Sequence, residues 1–297
     1  MFRKAERKKA KLRLGIAGPA GAGKTYSALM IAQGLGGKVA MIDTEHGSGE
    51  LYSHLYDYDI ATLEPPFTPE KYMALIREAE KEGYSTVILD SISHAWAGEG
   101  GLLDLHDRIS KTSGNSFTAW REVTPKHNAL VEAMLGSPCH IIATMRSKQE
   151  YTVNTNDKGK TEVRKVGLAP IQRDGMEYEF TVFLELSLDH LAVATKDRTS
   201  LFDGKGPFIP NGETGKTLLE WLELGLDPVQ ASEERKQAMI NRISRIGNPF
   251  ELRNWYDKHK GEIEALLPKH KDEIMNLLSE TKRTLQAQKK VPQGELV

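Results

Sequence analysis

The sequence predicts an α/β fold: a mainly parallel sheet covered by helices, extended by antiparallel strands and followed by a small helical module. Three observations predict it. Short strand-like runs alternate with helical stretches from Leu12 onward. A glycine-rich segment joins the first run to the first helix. After Asp227, apolar residues recur only at helical spacing and no strand signal returns.

Leu12–Ala17 reads as the first strand and Tyr26–Ala32 as the helix behind it. Between them, Gly18-Pro19-Ala20-Gly21-Ala22-Gly23-Lys24-Thr25 fits the phosphate-binding pattern G-x-x-x-x-G-K-[ST]. Glycines let backbone N–H groups wrap phosphates, the lysine neutralises β/γ charge, and the hydroxyl reaches Mg²⁺. ATP and Mg²⁺ are therefore the expected ligands, with Gly18 through Tyr26 as the cradle. Val39–Ile42, Thr86–Leu89 and Ile141–Thr144 read as further parallel strands. Thr68-Pro69-Glu70 starts a helix that runs from about Pro69 to Glu82, where Gly83 ends it. Tyr178–Leu186 and Leu191–Ala194 flank a turn at Asp189-His190 and read as a hairpin. Asp227-Pro228 and Asn248-Pro249 read as helix starts, with Met239, Ile240, Ile243 and Ile246 marking one apolar face. The expected organisation is a basic arm over 1–11, an α/β domain over 12–226 and a helical module over 227–297, frayed from about Gln286.

Composition narrows the function classes. The chain has 297 residues and a formal net charge of −1, so any pull on nucleic acid must come from local patches. The single cysteine, Cys139, excludes an internal disulfide and reads as a core residue at a strand start. No apolar stretch approaches the roughly 20 residues of a membrane span, and a cytoplasmic location is expected. His46, His94, His106, His127 and His140 lack zinc-ligand spacing. Thr214-Gly215-Lys216-Thr217 imitates a second phosphate loop, but Pro210 stands where its first glycine would be; it reads as a turn and a helix start.

Hydrolysis needs carboxylates besides the loop. Asp90, ending Thr86–Leu89, is the expected Walker B aspartate, sharing Mg²⁺ with Thr25. Ser91 follows it, so the Asp-Glu pair typical of AAA+ motors is absent. Asp43-Thr44-Glu45-His46 ends the neighbouring strand, and parallel strands open into one crevice at their carboxyl ends. Glu45 is thus the candidate to orient the attacking water.

With these pieces the chain resembles the RecA-like recombinase ATPases. Val39–His46 is similar to the family's second-strand motif, whose glutamate activates water, and Val87–Ser91 to its Walker B strand. Ala194-Thr195-Lys196-Asp197-Arg198 resembles the family's basic pair, which implies that Lys196 and Arg198 act in trans, in a homo-oligomer. Residues 12 to 225 as a whole look like the RecA-like ATP-binding proteins of tailed bacteriophages, some of which promote single-strand annealing. That resemblance implies an ATPase of recombination, annealing or replication in a bacterial host cytoplasm, with a single-strand-binding protein as a possible partner. The chain departs from RecA at Met145-Arg146, where the recombinase has an Asn-Gln sensor pair, and no long amino-terminal helix precedes the first strand.

The segment after the strand of Ile141 carries Arg146, Lys148, Lys158, Lys160, Arg164 and Lys165, interrupted by Tyr151; its position matches the second DNA loop of RecA-like folds. Basic side chains there suit single-stranded DNA phosphates, while Glu150, Asp157, Glu162 and Asp174 dilute the charge and leave a plain β-hairpin excursion as the alternative. Gly98–Asn115 would be the first DNA loop, with Trp96 and Trp120 nearby read as core. The leading reading is a Mg²⁺-dependent, DNA-stimulated ATPase on single-stranded DNA. A helicase loader, a packaging-type motor and an ATP-clamped adaptor remain alternatives.

Overall fold

The structure, a computed structural model, describes residues 6–155 and 161–288, with the side chains of 149–155, 161–166 and Gln288 outside the description. The chain forms two compact units, 11–222 and 1–10 with 223–297.

The first unit alternates strand and helix as its sequence pattern dictates. Its elements are β1 (Arg13–Gly18), α1 (Lys24–Leu35), β2 (Val39–Asp43), β3 (Asp59–Thr62), α2 (Pro69–Lys81), β4 (Thr86–Asp90), α3 (Ser93–Ala97), α4 (Leu102–Ser113) and α5 (Ser116–Gly136). Then come β5 (His140–Thr155), β6 (Thr161–Pro170), β7 (Val182–Leu186), β8 (Ala192–Asp197) and α6 (Gly212–Glu223). The strands lie in the order β3-β2-β4-β5-β1-β7-β8, with β6 paired to β5. From β3 through β7 every neighbouring pair is parallel, and β8 closes the edge antiparallel to β7. β1 and β4 are buried along their whole length, which is why they read as unbroken strands flanked by helices rather than as alternating ones.

Register sets the site. Asp43 lies opposite Asp90, Leu89 opposite Ala143, and Gly18 opposite Arg146. All these strand ends therefore reach the same edge of the sheet, and the phosphate loop leaves β1 there. Glycines let α6 press against α1: a Cβ on Gly215 would lie 2.8 Å from the Cα of Gly34. The imitation loop at Thr214–Thr217 is thus a helix start, as its proline implies, and Lys216 pairs with Glu213 at 2.5 Å.

Several segments differ from the sequence expectation. Gly98–Asn115 is mostly helix α4, because Leu102 is buried and the polar side chains after it line an exposed face. β5 does not stop at Thr144 but runs on into a two-stranded ribbon with β6, the β-hairpin alternative for this segment, pairing Ser147 with Pro170 and Thr155 with Thr161. Within Tyr178–Leu186 only Val182–Leu186 is strand; Met176–Glu179 is a short 3-10 turn begun by Gly175 at φ 88°. β8 extends three residues past Ala194, so Lys196 sits on a strand.

The second unit packs α7 (Pro228–Ile243), α8 (Pro249–Glu264) and α9 (Pro268–Gln288) around Met239, Ile243, Leu252, Ile263 and Ile274. Each of the first two helices begins with proline at its first turn and an acceptor before it. Asp227 accepts from Val229 and Gln230 N–H at 2.8 and 3.1 Å, and Asn248 from Glu251 N–H at 2.9 Å. The basic amino-terminal residues belong to this unit: Lys9 N–H donates to Leu226 O, Leu226 N–H to Arg7 O, and Arg235 pairs with Glu6 at 2.7 Å.

Candidate functional site

The phosphate loop is built for close approach. Gly21 and Gly23 hold φ of 81° and 84°, a left-handed conformation that spares only glycine, and Gly23 directly precedes α1. The amino end of α1 thereby presents unpaired N–H groups and a positive dipole end to the loop. Lys24 Nζ donates to Pro19 O at 2.9 Å. Burial lowers the Lys24 pKa, and the carboxylates of Asp90 and Glu45 pull the other way.

Asp90 is 2 % exposed and receives one hydroxyl on each oxygen. Thr25 Oγ1 donates to Oδ2 at 2.6 Å, and Thr144 Oγ1 donates to Oδ1. Burial raises the Asp90 pKa, with the two hydroxyls opposing it. A hydroxyl and a carboxylate in hydrogen-bond contact form an oxygen donor set that suits Mg²⁺, which takes one or two protein ligands and completes its shell with phosphate and water. Among the described residues no cluster of three or more acidic, histidine or cysteine side chains is poised to hold a metal.

Glu45 lies on the loop after β2, and that loop is folded by its own first residue. Asp43, fully buried, accepts from Glu45 N–H at 2.7 Å and Gly47 N–H at 2.8 Å. The Glu45 carboxylate takes Arg146 Nε at 2.8 Å on Oε1 and a second Arg146 nitrogen on Oε2, while Ser91 Oγ donates at 3.3 Å. Burial pushes its pKa up, but the Arg146 guanidinium outweighs burial and holds the carboxyl below its ordinary value. Arg146 in turn is placed by its backbone N–H, which donates to Ser93 Oγ at 2.9 Å. Thr44 ties the strand ends together: its N–H donates to Asp90 O at 2.7 Å, and its Oγ1 accepts from Ser91 N–H at 2.9 Å. His94 Nδ1 lies 2.7 Å from Thr44 Oγ1, and burial lowers the His94 pKa.

The structure thus brings Gly18–Tyr26, Glu45, Asp90 and Arg146 to one edge. It does not bring Lys196 and Arg198 there. Lys196 lies opposite Phe183, which lies beside Gly15, three residues before the loop begins at Gly18. At about 3.3 Å per residue, that is roughly 10 Å toward the other edge of the sheet. Both side chains donate to the Tyr178 carbonyl, Arg198 at 3.0 Å. Burial lowers the Lys196 pKa, and Arg198 adds to the effect.

Of the expected DNA contacts, Arg146 is engaged by Glu45 and Lys148 lies on the ribbon. Lys158 and Lys160 lie outside the described residues, as do the side chains of Tyr151, Arg164 and Lys165. Trp96 and Trp120 stack on each other with centroids 6.0 Å apart, and His106 lies 4.3 Å from Trp120. Sequence reasoning missed the roles of Thr144, Ser91, Thr44 and the partner of Glu45; Thr44 and Ser91 each directly follow a strand, whereas Thr144 and Arg146 lie inside β5 and carry no such signal.

The AAA domain family matches residues 10–208, the span of this whole site. The chain belongs to that family. An AAA domain is a P-loop ATPase domain, and the loop, Asp90 and Glu45 described above are consistent with ATP binding and hydrolysis. Membership holds although Ser91 stands where an Asp-Glu pair would end, so that pair does not separate this chain from AAA domains. Among solved structures, a prototypical ATPase from the type III secretion system of pathogenic bacteria is similar at 14% identity and TM-score 0.36, covering 93% of this chain and 79% of that one. No curated protein matches. The described sheet is parallel from β3 through β7, with β8 antiparallel at its edge. No helix among the described residues is long and apolar enough to cross a membrane.

Proposed function

We propose that this AAA-family chain is a Mg²⁺-dependent ATPase that acts on single-stranded DNA in recombination, annealing or replication. One observation carries the reading: Arg146 grips the candidate water-orienting glutamate and is also the residue from which the β5–β6 ribbon departs. Arg146 directly precedes Ser147, the first paired residue of the ribbon, so a single hydrogen-bonded side chain links the ribbon to Glu45.

In this reading the loop N–H groups and Lys24 seat the phosphates, and Thr25 with Asp90 holds Mg²⁺. When bound, that ion neutralises phosphate charge. Glu45, kept ionised by Arg146, accepts the proton of the attacking water, and Ser91 and Arg146 hold its carboxylate in one orientation. Lys196 and Arg198, roughly 10 Å toward the far edge of the sheet from the loop, serve the nucleotide of a neighbouring subunit. Phosphate contacts on the ribbon predict affinity for a single-stranded oligonucleotide that falls linearly on a log-log plot against salt, and the single-strand assignment further requires that affinity to exceed affinity for duplex of equal length. Salt-insensitive binding, or a preference for duplex, rules out this DNA assignment.

A further inference from the structure

A small buried hydrogen-bond network lies behind Glu45. Thr44, next to it in the chain, is 1% exposed, so its hydroxyl has to find protein partners. Ser91 N–H donates to Thr44 Oγ1 at 2.9 Å and occupies one of its lone pairs. The single hydroxyl proton then has three acceptors in reach: Asp90 O and Ser91 O, both at 3.2 Å, and His94 Nδ1 at 2.7 Å. Asp90 O already accepts from Thr44 N–H at 2.7 Å, and Ser91 O from Tyr72 O–H at 2.9 Å. His94 Nδ1 is therefore both the nearest acceptor and the one in need of the proton. The ring is held in place as well. It stacks on Phe67 with centroids 4.8 Å apart at 22°, and its backbone carbonyl accepts from Gly98 N–H at 2.9 Å. The charged and titratable groups around it are Arg146 on β5 and Glu45, His46 and Asp43 at the end of β2. Burial first, and Arg146 next, lower the His94 pKa, with Glu45 opposing, which favours the neutral ring at about pH 7.

We propose that His94 is a positioning residue for Glu45: as a neutral imidazole it accepts the Thr44 hydroxyl proton and so fixes Thr44 and Ser91, the residues that adjoin and hold the glutamate. This role rests on the reading of Glu45 as the group that orients water. Both bonds of the Thr44 hydroxyl converge on it, because Thr44 sets the backbone from which Glu45 departs and Ser91 Oγ donates to the Glu45 carboxylate at 3.3 Å. Protonation of the ring reverses the first bond. Nδ1–H then donates to Thr44 Oγ1, the hydroxyl turns to a backbone carbonyl, and the imidazolium repels the Arg146 guanidinium that grips Glu45. Turnover therefore falls as the pH drops through the His94 pKa, which lies below its ordinary 6.5.

The test is steady-state ATP turnover by the full chain with Mg²⁺ between about pH 5 and 8, with a melting curve for each variant. His94→Phe keeps a ring against Phe67 and removes the acceptor, whereas His94→Asn returns an uncharged acceptor near the Nδ1 position. At about pH 8, His94→Phe is expected to lower kcat about fivefold, the rate equivalent of one net hydrogen bond, with KM for ATP within about twofold. His94→Asn is expected to recover kcat to within about twofold of wild type and to lose the acid limb that wild type shows below about pH 6.5. On a Glu45→Gln background, His94→Phe is expected to cost less than about twofold more, because the group it positions is gone. The positioning role is overturned by His94→Phe turnover within about twofold of wild type, by His94→Asn as slow as His94→Phe or keeping the acid limb, or by the full loss recurring on the Glu45→Gln background. If His94→Phe does not fold, the pH profile of His94→Asn decides alone. Glu45→Gln turnover within about threefold of wild type is a separate failure, which removes the glutamate from the reaction and leaves His94 nothing to position.

Discussion

Replacing Glu45 with glutamine keeps the side chain's shape and removes its charge, so it separates catalysis from folding and binding. In the structure Glu45 accepts two nitrogens from Arg146 and one hydroxyl from Ser91. The amide keeps one acceptor oxygen and loses the charge-assisted second contact. Arg146 is 46% exposed, so solvent screens this pair, and its loss costs about 1 kcal/mol, the upper end for exposed ion pairs. That is roughly fivefold in an equilibrium constant, too little to unfold the protein or to abolish ATP binding. Proton acceptance by a positioned base, in contrast, is worth about 10²–10⁴ in rate. The expected outcome is a fall in kcat of that size with the ATP dissociation constant within about fivefold of wild type. Steady-state phosphate release and a fluorescent-nucleotide titration measure the two. Turnover within threefold of wild type would remove Glu45 from the reaction.

The remaining predictions concern its neighbours. Arg146→Ala should lower kcat about fivefold through loss of positioning, and Arg146→Lys should recover part of it because charge returns without the two-pronged grip; unchanged kcat in the alanine variant contradicts this. Thr144→Val leaves one oxygen of buried Asp90 without its donor and should destabilise the protein by about 1.5–3 kcal/mol in urea unfolding; a loss under about 0.5 kcal/mol refutes it. Replacing Lys196 and Arg198 with alanine should reduce turnover while ATP still binds the monomer, and full turnover would end their role in trans. His94 and His127 have pKa values lowered by burial from 6.5, so the unfolded chain binds more protons below that pH. Stability should therefore rise with pH through about 6.5 and be lost on acidification, and His127→Phe should flatten the slope of melting temperature between about pH 5 and 7; an unchanged slope contradicts the assignment.

Much of the core was legible because its signals are local. Gly21 and Gly23 must be glycine for the loop to turn, Pro69 and Pro228 mark first helical turns, and Asp90 ends an apolar run, all within a few residues of sequence. What escaped depends on register between distant strands. Glu45 and Arg146 are 101 residues apart, and only the order β2-β4-β5 makes them neighbours. Thr144 meets Asp90 for the same reason. The ribbon past Thr144 is polar, so it lacks the apolar alternation that marks a strand over a core. Helix α4 follows two glycines and is polar on most faces, and reads as a loop until Leu102 is seen to be buried.

The most direct measurement is phosphate release from Mg-ATP by the full chain, with no DNA, with a single-stranded oligonucleotide and with duplex, alongside Lys24→Ala. Turnover is expected to rise with the single strand alone and to disappear in the variant. No release, or a rate identical in all three conditions, would contradict it.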